Sequence, residues 1–394
     1  MLIGRVVATK LAQLYVSHFE STFRILHVPT FWREFERFWA SSAEISTAIS
    51  LQIHLVLAIG SSIFLESSYD DLIPTRSLVY QWAQSAYNWL SGPTDKGRLS
   101  IDRLQVQCLL VLTRQVLAIG ADLLYITMGH VIRMAIQRGL HRDPRHFHKM
   151  TPLQSEMRRR LWATILELNL QAALDAGALP NFTLQDFDTE SPANVNDSDL
   201  DDLGRVMRIY PPNTVTNCSL LQALFASLRP RYELARRMNC LSAPMSYEEI
   251  ERATSDINEA CRSYRSLMKG DDTALTFKQN LLELLLSRGL LKVSLDAAMA
   301  ILSPFQNEEF SHLVRVGGGV FKSRLIHASL AVASELLKEI EENGVMMEPI
   351  GHRKTLVDAV EEALCRTDRR IQLGETNADV KMHMKLSMVI CRRK

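Results

Sequence analysis

The sequence predicts an all-α protein, a multi-helix bundle of antiparallel helical hairpins with no significant sheet. Apolar residues recur at steps of three and four along most of the chain, the spacing that places side chains on one face of a helix. The 17 glycines and 13 prolines are few for 394 residues, and most of them mark the ends of these segments. No stretch sustains the two-residue alternation of a strand, so a parallel-sheet enzyme fold is not expected.

An aromatic cluster near the start of the chain is the first predicted helical element. Its members are Phe31, Trp32, Phe35, Phe38 and Trp39. Because Phe31, Phe35 and Phe38 fall at helical spacing, they are predicted to be core residues, and a partner-binding face is the alternative.

A helical hairpin between residues 124 and 177 is the clearest predicted element. Its first helix has an apolar face made of Leu124, Met128, Val131 and Ala135. Gly139 follows where a left-handed C-terminal cap is favoured. Thr151-Pro152-Leu153-Gln154 then supplies a capping threonine, a proline at the first helical position and a glutamine three residues on. The second helix is predicted to bury Met157, Leu161, Ile165, Leu168 and Ala172 and to end near Gly177.

An acidic segment follows the hairpin. Between Asp186 and Asp202 there are seven acidic residues and no basic one, which is typical of an exposed loop. It is predicted to divide the chain into two helical halves, 1–185 and 217–394, joined by an acidic, proline-containing loop at 186–216. The second half is expected to pack on the first as one continuous helical body. Its predicted helices lie around 217–240, 246–269, 274–302, 320–342 and 353–373.

Charge and hydropathy exclude several classes of protein. The chain has 45 Lys and Arg against 44 Asp and Glu, a net charge of +1, whereas a chain that binds a phosphate backbone alone usually carries a large positive excess. The most apolar run, 51–65, is interrupted by Gln52 and His54 and is too short to cross a bilayer. The first residues lack a secretory cleavage pattern. A soluble protein with no membrane partner is expected.

Cysteine spacing argues against a zinc site. The closest two cysteines, Cys240 and Cys261, are 21 residues apart, and zinc fingers and clusters need closely spaced ligands. The thiols are therefore expected to be reduced, buried and intracellular.

Three further patterns contain residue types used in metal or phosphate chemistry. A loop with His141, His146, His148 and Asp143 also carries Arg142, Arg145 and Lys149, which repel a cation. The acids Asp197, Asp199 and Asp201 lack the glycine and the twelfth-position acid of a calcium loop. Gly317-Gly318-Gly319 with Lys322 lacks the glycine before the lysine and a preceding strand, so a turn followed by a helix is predicted. No catalytic or metal-binding residue is expected.

The run Arg158-Arg159-Arg160 invites a phosphate-binding interpretation. Successive helical residues point about 100° apart, so three arginines in a row cannot form one flat cationic patch. Glu156 reaches Arg159 and Arg160 at three and four residues. The prediction is an ion-pair network that ties this helix to its neighbours.

Four motifs occur in a fixed order over residues 23–194. They are Phe23–Phe31, the stretch Gly129–Pro144 with Arg133–Asp143 inside it, Glu156–Trp162, and Leu170–Gly177 leading into Asp186–Thr189 and Pro192–Asn194. In this order they resemble the middle homology region, or fungal-specific transcription-factor domain, of the zinc binuclear cluster transcription factors of fungi. Where that family often has Gly-Arg-Pro, this chain has Gly177-Ala178-Leu179-Pro180.

The resemblance implies transcriptional regulation in the nucleus. Members of the family carry six clustered cysteines that hold two zinc ions and dock a helix in the DNA major groove, usually followed by a dimerising coiled coil. This chain contains neither. DNA contact and zinc are therefore expected only through an attached or partner zinc-cluster domain, and dimerisation stays open. The missing zinc cluster is consistent with a truncated gene model and with a natural regulator that lacks its own DNA-binding domain.

Two functions follow from the resemblance. The first is a regulatory, effector-sensing domain of a fungal transcription factor, controlling a metabolic or secondary-metabolite gene cluster and binding a small-molecule effector. The second is a regulator without a DNA-binding domain that modulates other, intact family members by protein contact, which a near-zero net charge suits. The candidate effector or structural hairpin residues are Arg133, His141, Arg142, Asp143, Glu156, Arg159, Arg160, Trp162 and Asp175. An enzyme is not expected.

Overall fold

The computed structural model describes residues 3–40, 45–65, 74–92, 100–120, 123–200, 207–240, 273–287, 295–303, 307–343 and 350–372, together with Phe305 and several positions between 246 and 262. All regular structure within these ranges is helical. The all-α prediction is therefore confirmed.

The helices follow one another through most of the described chain. In the first part they are α1 (Arg5–Tyr15), which continues as a π-helical segment (Val16–Glu20) and the short α2 (Ser21–Phe23), then α3 (Val28–Ala40), α4 (Thr47–Ser61), α5 (Arg76–Ser91), α6 (Ile101–Val116), α7 (Leu124–Gln137) and α8 (Pro152–Ala176). Later come α9 (Ser219–Ala226), α10 (Leu228–Met238), α11 (Thr273–Ser287), α12 (Leu295–Leu302), α13 (Glu308–Val316), α14 (Val320–Asn343) and α15 (Ile350–Gln372).

Helix α4 is the apolar centre of the first part of the chain. It packs against α1, α5 and α6, and nearly every residue from Leu51 to Gly60 is buried. Gly60 is required at the crossing with α1, because a Cβ atom built there would lie 2.1 Å from the carbonyl oxygen of Leu11. The most apolar run of the sequence, 51–65, therefore forms most of a core helix. No helix in the described residues is long and apolar enough to span a membrane.

The aromatic cluster lies on α3, as predicted. Phe31 and Phe35 are buried, whereas Trp32, Phe38 and Trp39 are partly buried against the same core. The core interpretation is confirmed for the two buried rings.

The predicted hairpin is formed by α7 and α8. After α7, Gly139 has φ +77°, and the amide of Leu140 donates to the carbonyl of Ala135 at 2.9 Å, so the helix ends in a Schellman motif. Thr151 and Gln154 form the predicted capping box at the start of α8.

The two helices of this hairpin run antiparallel. Arg158, near the start of α8, donates to the carbonyl of Arg138 after the end of α7 at 3.2 Å. Asn169, further along α8, donates to the carbonyl of Met128 near the start of α7 at 3.3 Å.

The acidic segment differs from the prediction of an exposed loop. Thr189, Asn194 and Asp197 are buried, and Asn194 donates to the carbonyls of Pro211 at 2.8 Å and Thr214 at 2.9 Å. These residues dock on the helical body because buried arginines and backbone groups there need acidic and amide partners, which a count of charges along the sequence does not reveal. Residues 201–206 lie outside the described chain.

The later helices agree with the prediction in part. Helices α14 and α15 match the expected 320–342 and 353–373. The expected helix at 217–240 is two helices, α9 and α10, which meet at Ser227. Helix α13 was not predicted, and most of 246–269 lies outside the described residues.

The last helices contact the first part of the chain at several points. Helix α14 packs on α6 and α8, and α11 packs on the π-helical segment. His18 in that segment lies 2.8 Å from a carboxylate oxygen of Glu309 in α13. The proposed boundaries at 185 and 217 stay a prediction.

Candidate functional site

Helix α8 is buried along most of its length and carries many polar side chains inward. Those that are buried are Glu156, Arg158, Arg160, Thr164, Glu167, Asn169 and Gln171. Burying such groups costs several kcal/mol in total unless each one finds a partner. Their partners therefore define how the surrounding elements are held.

Asp197 of the acidic segment is the centre of one buried cluster. It accepts hydrogen bonds from Arg24, from Nη1 of Arg160 at 2.7 Å and from the amide of Val28 at 3.0 Å. Burial would raise the pKa of Asp197, but the charges of Arg24 and Arg160 outweigh it and lower that pKa to about 2. The acidic segment is thus bonded to the start of α3 and to α8.

Glu156 belongs to the same cluster. It accepts from Nε of Arg160 at 3.1 Å and from the amide of Ala193 at 3.1 Å. Burial raises the pKa of Glu156. The Cys218 thiol lies 4.0 Å away, and burial raises the pKa of that thiol to about 11, so it stays protonated.

The side chains of the three consecutive arginines bind three different partners. Arg160 pairs with Glu156 as predicted, but Arg159 pairs with Asp143 through bonds of 2.9 and 2.8 Å rather than with Glu156. Arg158 donates to the carbonyl of Gly139 at 2.8 Å. The predicted ion-pair network is confirmed for Arg159 and Arg160. The partner predicted for Arg159 is corrected from Glu156 to Asp143.

Asp143 organises the loop between α7 and α8. Besides Arg159, it accepts from the backbone amides of Arg145 at 3.0 Å and Glu190 at 3.1 Å. Burial would raise the pKa of the Asp143 carboxyl, but the hydrogen bonds from Arg159 and the backbone hold it well below its usual range. Both carboxylate oxygens of Asp143 therefore accept hydrogen bonds from within the protein.

A second buried cluster joins α8 to the later helices. Glu167 receives two hydrogen bonds from Arg231 of α10. Gln171 donates to the carbonyl of Leu285 at 3.1 Å and accepts from Arg324 of α14. Burial lowers the pKa of Arg324 to about 9, although the charge of Glu167 opposes this.

The glycine turn before α14 also reaches α8. The amide of Gly318 donates to the carbonyl of Gln115 at 2.6 Å, and Ser323 in the first turn of α14 donates to Asp175 at 2.6 Å. The prediction of a turn followed by a helix is confirmed, and the Ser323 hydroxyl donates to a carboxylate.

A half-open cavity of about 460 Å³ lies at the other end of α8. The first two turns of four helices surround it: α3, α4, α6 and α8. Its lining residues are Leu26, His27, Thr30, Phe31, Glu34, Ile49, Gln52, Ile53, Ile101, Asp102, Gln105, Arg138, Met150, Leu153, Gln154, Met157 and Arg158. The walls are mostly apolar and a few polar groups converge on them, which is the usual composition of a small-molecule site.

The polar groups of the cavity are distributed over several helices. Gln52 donates to Gln105 at 3.1 Å, and Gln105 donates to the carbonyl of Ile25 at 2.8 Å. His27 contacts the Thr30 hydroxyl at 2.8 Å. Glu34 is paired with Arg37 at 2.7 Å.

None of the nine predicted site residues lines this cavity. Asp143, Glu156, Arg159 and Arg160 belong to the polar clusters described above. The buried Trp162 ring lies 6.5 Å from the ring of His141.

The remaining predicted residues are also away from the cavity. Arg133 and Arg142 are exposed, and Arg142 lies 3.3 Å from Asp188. Asp175 binds Ser323. Other residues that stand out in the sequence do line the cavity, among them Phe31 of the aromatic cluster, Met157 of the α8 stripe and Arg158 of the arginine run.

The four described cysteines lie on separate parts of the fold. Cys108 and Cys218 are buried, as predicted, but Cys240 and Cys365 are exposed. Across the described ranges, no three or more His, Cys, Asp or Glu side chains are arranged to hold a metal ion. Cys261 and Cys391 lie outside the described residues.

The model of the fungal-specific transcription factor domain matches residues 12–268 of this sequence. The chain belongs to this family. Its members are transcription factors rather than enzymes. Transcription factor asR3 of Sarocladium schorii is 33% identical over 98% of this chain and 52% of its own length.

Other relatives agree with this assignment. The Aspyridones cluster regulator apdR of Emericella nidulans is 25% identical over 86% of the chain and 51% of its own length. The chain therefore spans about half the length of the curated relatives it matches. Among solved structures, the K. lactis CBF3 core matches with a TM-score of 0.46 and 11% identity over 98% of this chain and 84% of that chain.

Proposed function

We propose that this chain is the regulatory, effector-sensing domain of a fungal transcription factor that acts in the nucleus on a secondary-metabolite gene cluster. The family match over residues 12–268 is the observation that carries the proposal. The name of the Aspyridones cluster regulator, which aligns with 86% of the chain, supports the choice of gene cluster.

DNA contact belongs to another domain in this proposal. A net charge of +1 gives the chain no strong attraction for the phosphate backbone. An attached or partner zinc-cluster domain would bind zinc and DNA, and the helical domain would control its activity, alone or as a dimer.

The fold supplies a route for that control. A cavity lies at the start of α8, and side chains along α8 bind the acidic segment, α10 and α14. A ligand shifts the balance between two packings only by its preference for one of them. Because α8 has so many buried partners, a ligand bound at its start would also change the packing of the elements bonded further along it.

A reporter fusion tests the proposal. The 394-residue chain is fused to an unrelated DNA-binding domain and expressed with a reporter that carries its binding site. The fusion is expected to change reporter output several-fold relative to the DNA-binding domain alone. The Asp197→Asn variant, which breaks a buried cluster, should lose the effect, and Glu190→Gln, which changes an exposed carboxylate of the same segment, should keep it. A silent fusion that is expressed and folded would contradict the proposal.

The second candidate is a regulator that lacks its own DNA-binding domain and modulates intact family members. The near-neutral charge favours it as well. It is supported if the unfused chain changes the output of an intact family member while the fusion is silent. Co-purification of the two proteins would then identify protein contact as the route.

A further inference from the structure

We propose that the cavity at the start of α8 binds a monoanionic apolar organic acid, with its acidic head held by Arg138 and Arg158. This inference rests on the proposed function, because it names the class of effector that the regulatory domain would sense. It is argued from the charges, the buried groups and the walls of the cavity.

Two arginines on one side of the cavity lack an acidic partner among the described residues. Arg158 is only 8% exposed, and its Nη2 is used by the carbonyls of Arg138 and Gly139. Its Nε makes no hydrogen bond within the described chain. Arg138 is exposed at the mouth, and no described carboxylate forms an ion pair with it.

The two guanidinium groups are close enough to repel each other. Burial lowers the pKa of Arg158, and the positive charge of Arg138 lowers it further. A half-buried pair of like charges without a counterion is unfavourable, and an anion bound between them would remove the repulsion. A carboxylate also matches the planar donor geometry of arginine.

The helices around the cavity add to this preference. Residues in the first two turns of α3, α4, α6 and α8 line it. The amino ends of helices carry partial positive charge, which favours a negatively charged group nearby. The electrostatic potential of these helix ends is positive, like that of the two arginines, so both favour an anion in the cavity.

The rest of the cavity fits an apolar skeleton. Its apolar lining includes Leu26, Phe31, Ile53, Ile101 and Met157. A volume of about 460 Å³ is in the range of sites for small organic ligands. A purely polar anion would leave these walls without contacts, so the ligand needs an apolar body as well as the acidic head.

Polar groups on α4 and α6 disfavour a second negative charge in the cavity. Asp102 lies in the first turn of α6, and burial raises the pKa of its carboxyl with no contribution from either arginine. Gln52 uses its amide on Gln105, which leaves its carbonyl oxygen as an acceptor. These groups accept hydrogen bonds and would reject another carboxylate, so a monoanion is favoured over a dianion.

Calorimetric titration of the purified 394-residue chain tests the inference. The probe is decanoate, and the neutral and cationic controls of the same length are decanamide and decylammonium. Decanoate is expected to bind with one site per chain and at least about tenfold more tightly than either control, since a hydrogen-bonded charge contributes a factor of this size.

Three variants locate the binding. Arg138→Gln, at an exposed position, should weaken decanoate binding about tenfold and leave decanamide binding unchanged. Ile49→Trp, at a partly exposed position of the wall, should abolish binding of both by filling the cavity. Arg229→Gln is the matched control, because Arg229 is an exposed arginine on α10 outside the cavity. Unchanged thermal unfolding midpoints show that each variant is folded.

Two results would overturn the inference. One is equal affinity for decanoate and decanamide, and the other is decanoate binding that Arg138→Gln leaves intact. The titration uses no reporter, so its failure leaves the regulatory proposal standing. A silent reporter fusion with intact decanoate binding would instead remove the regulatory role and leave the ligand site.

Discussion

Arg231 and Glu167 face each other inside the protein through two parallel hydrogen bonds of 2.8 and 2.7 Å. Their side chains are 1% and 2% exposed, so both charges are fully removed from water. Glu167 also acts on the buried charge of Arg324, and the Arg231–Glu167 pair bonds α10 to the middle of α8. Removing one partner leaves an uncompensated charge in the core.

Breaking this pair should destabilise the protein strongly. Glu167→Gln or Arg231→Met alone is expected to lower the free energy of unfolding by about 3–5 kcal/mol, because one charge stays buried. The double variant Glu167→Gln with Arg231→Met should recover part of that loss because it removes both charges of the pair, although Arg324 still loses the charge of Glu167. Urea unfolding followed by circular dichroism measures all three. The exposed pair Arg5 and Glu36 is the control, and Arg5→Gln should cost less than about 1 kcal/mol.

Asp197→Asn tests the docking of the acidic segment. The variant leaves the buried guanidinium groups of Arg24 and Arg160 with one carboxylate fewer, so a loss of about 3–5 kcal/mol in the free energy of unfolding is expected. Limited proteolysis should also cut the segment 186–216 faster than in the wild type. Glu190→Gln, an exposed change in the same segment, should alter neither measurement, and equal behaviour of both variants would contradict the assignment.

Glu20 should make stability depend on pH. Burial raises the pKa of Glu20 to about 7 from 4.5, despite the nearby charge of Arg24. A group with a raised folded pKa contributes stability that is present below pH 4.5 and lost as pH rises through 7. Relative to the wild type, Glu20→Gln should therefore gain on the order of 3 kcal/mol in unfolding free energy between those pH values.

The measurement is a set of urea unfolding curves for both proteins across this pH range. Glu36→Gln is the control, because the Glu36 side chain is 59% exposed. Its curve should run parallel to that of the wild type. If the Glu20→Gln curve is parallel as well, Glu20 ionises normally in the folded protein and the prediction is wrong.

Gly60→Ala should disrupt the crossing of α1 and α4. The added methyl group would collide with the backbone carbonyl of Leu11, which cannot move away like a flexible side chain. A loss of about 1–3 kcal/mol or more in the free energy of unfolding is expected. Gly4→Ala is the matched control, since nothing lies within 4 Å of a Cβ atom there. Equal unfolding midpoints for the two variants would show that the helices separate at little cost.

Local signals made α8 predictable from the sequence. Thr151 and Gln154 mark its start and Gly177 its end, and each acts on residues within one helical turn. The missed helix α13 also has such a signal, because the Asn307 side chain accepts from the amide of Phe310 at 2.8 Å. It is only nine residues long, and short segments show little periodicity.

Long-range partners could not be predicted in this way. Asp197 stands in a run of acids, which is normally a solvated face, and only packing reveals that Arg24 and Arg160 approach it. The cavity was missed for the same reason, since Phe31, Ile53, Ile101 and Met157 meet there from four separate helices. Arg158 stands out in the sequence as part of the arginine run, whereas its neighbour Arg138 has no such signal along the chain.

The buried polar contacts of α8 constrain how this helix moves. Its 25 residues make a rod about 37 Å long, and hydrogen bonds leave it towards the acidic segment, α7, α10 and α14. A rotation of α8 about its own axis would break hydrogen bonds to all of these elements at the same time, so even a small rotation costs free energy. We therefore expect any conformational switch that moves α8 to be two-state. In one state the helix keeps all of these hydrogen bonds, and in the other it loses several of them together.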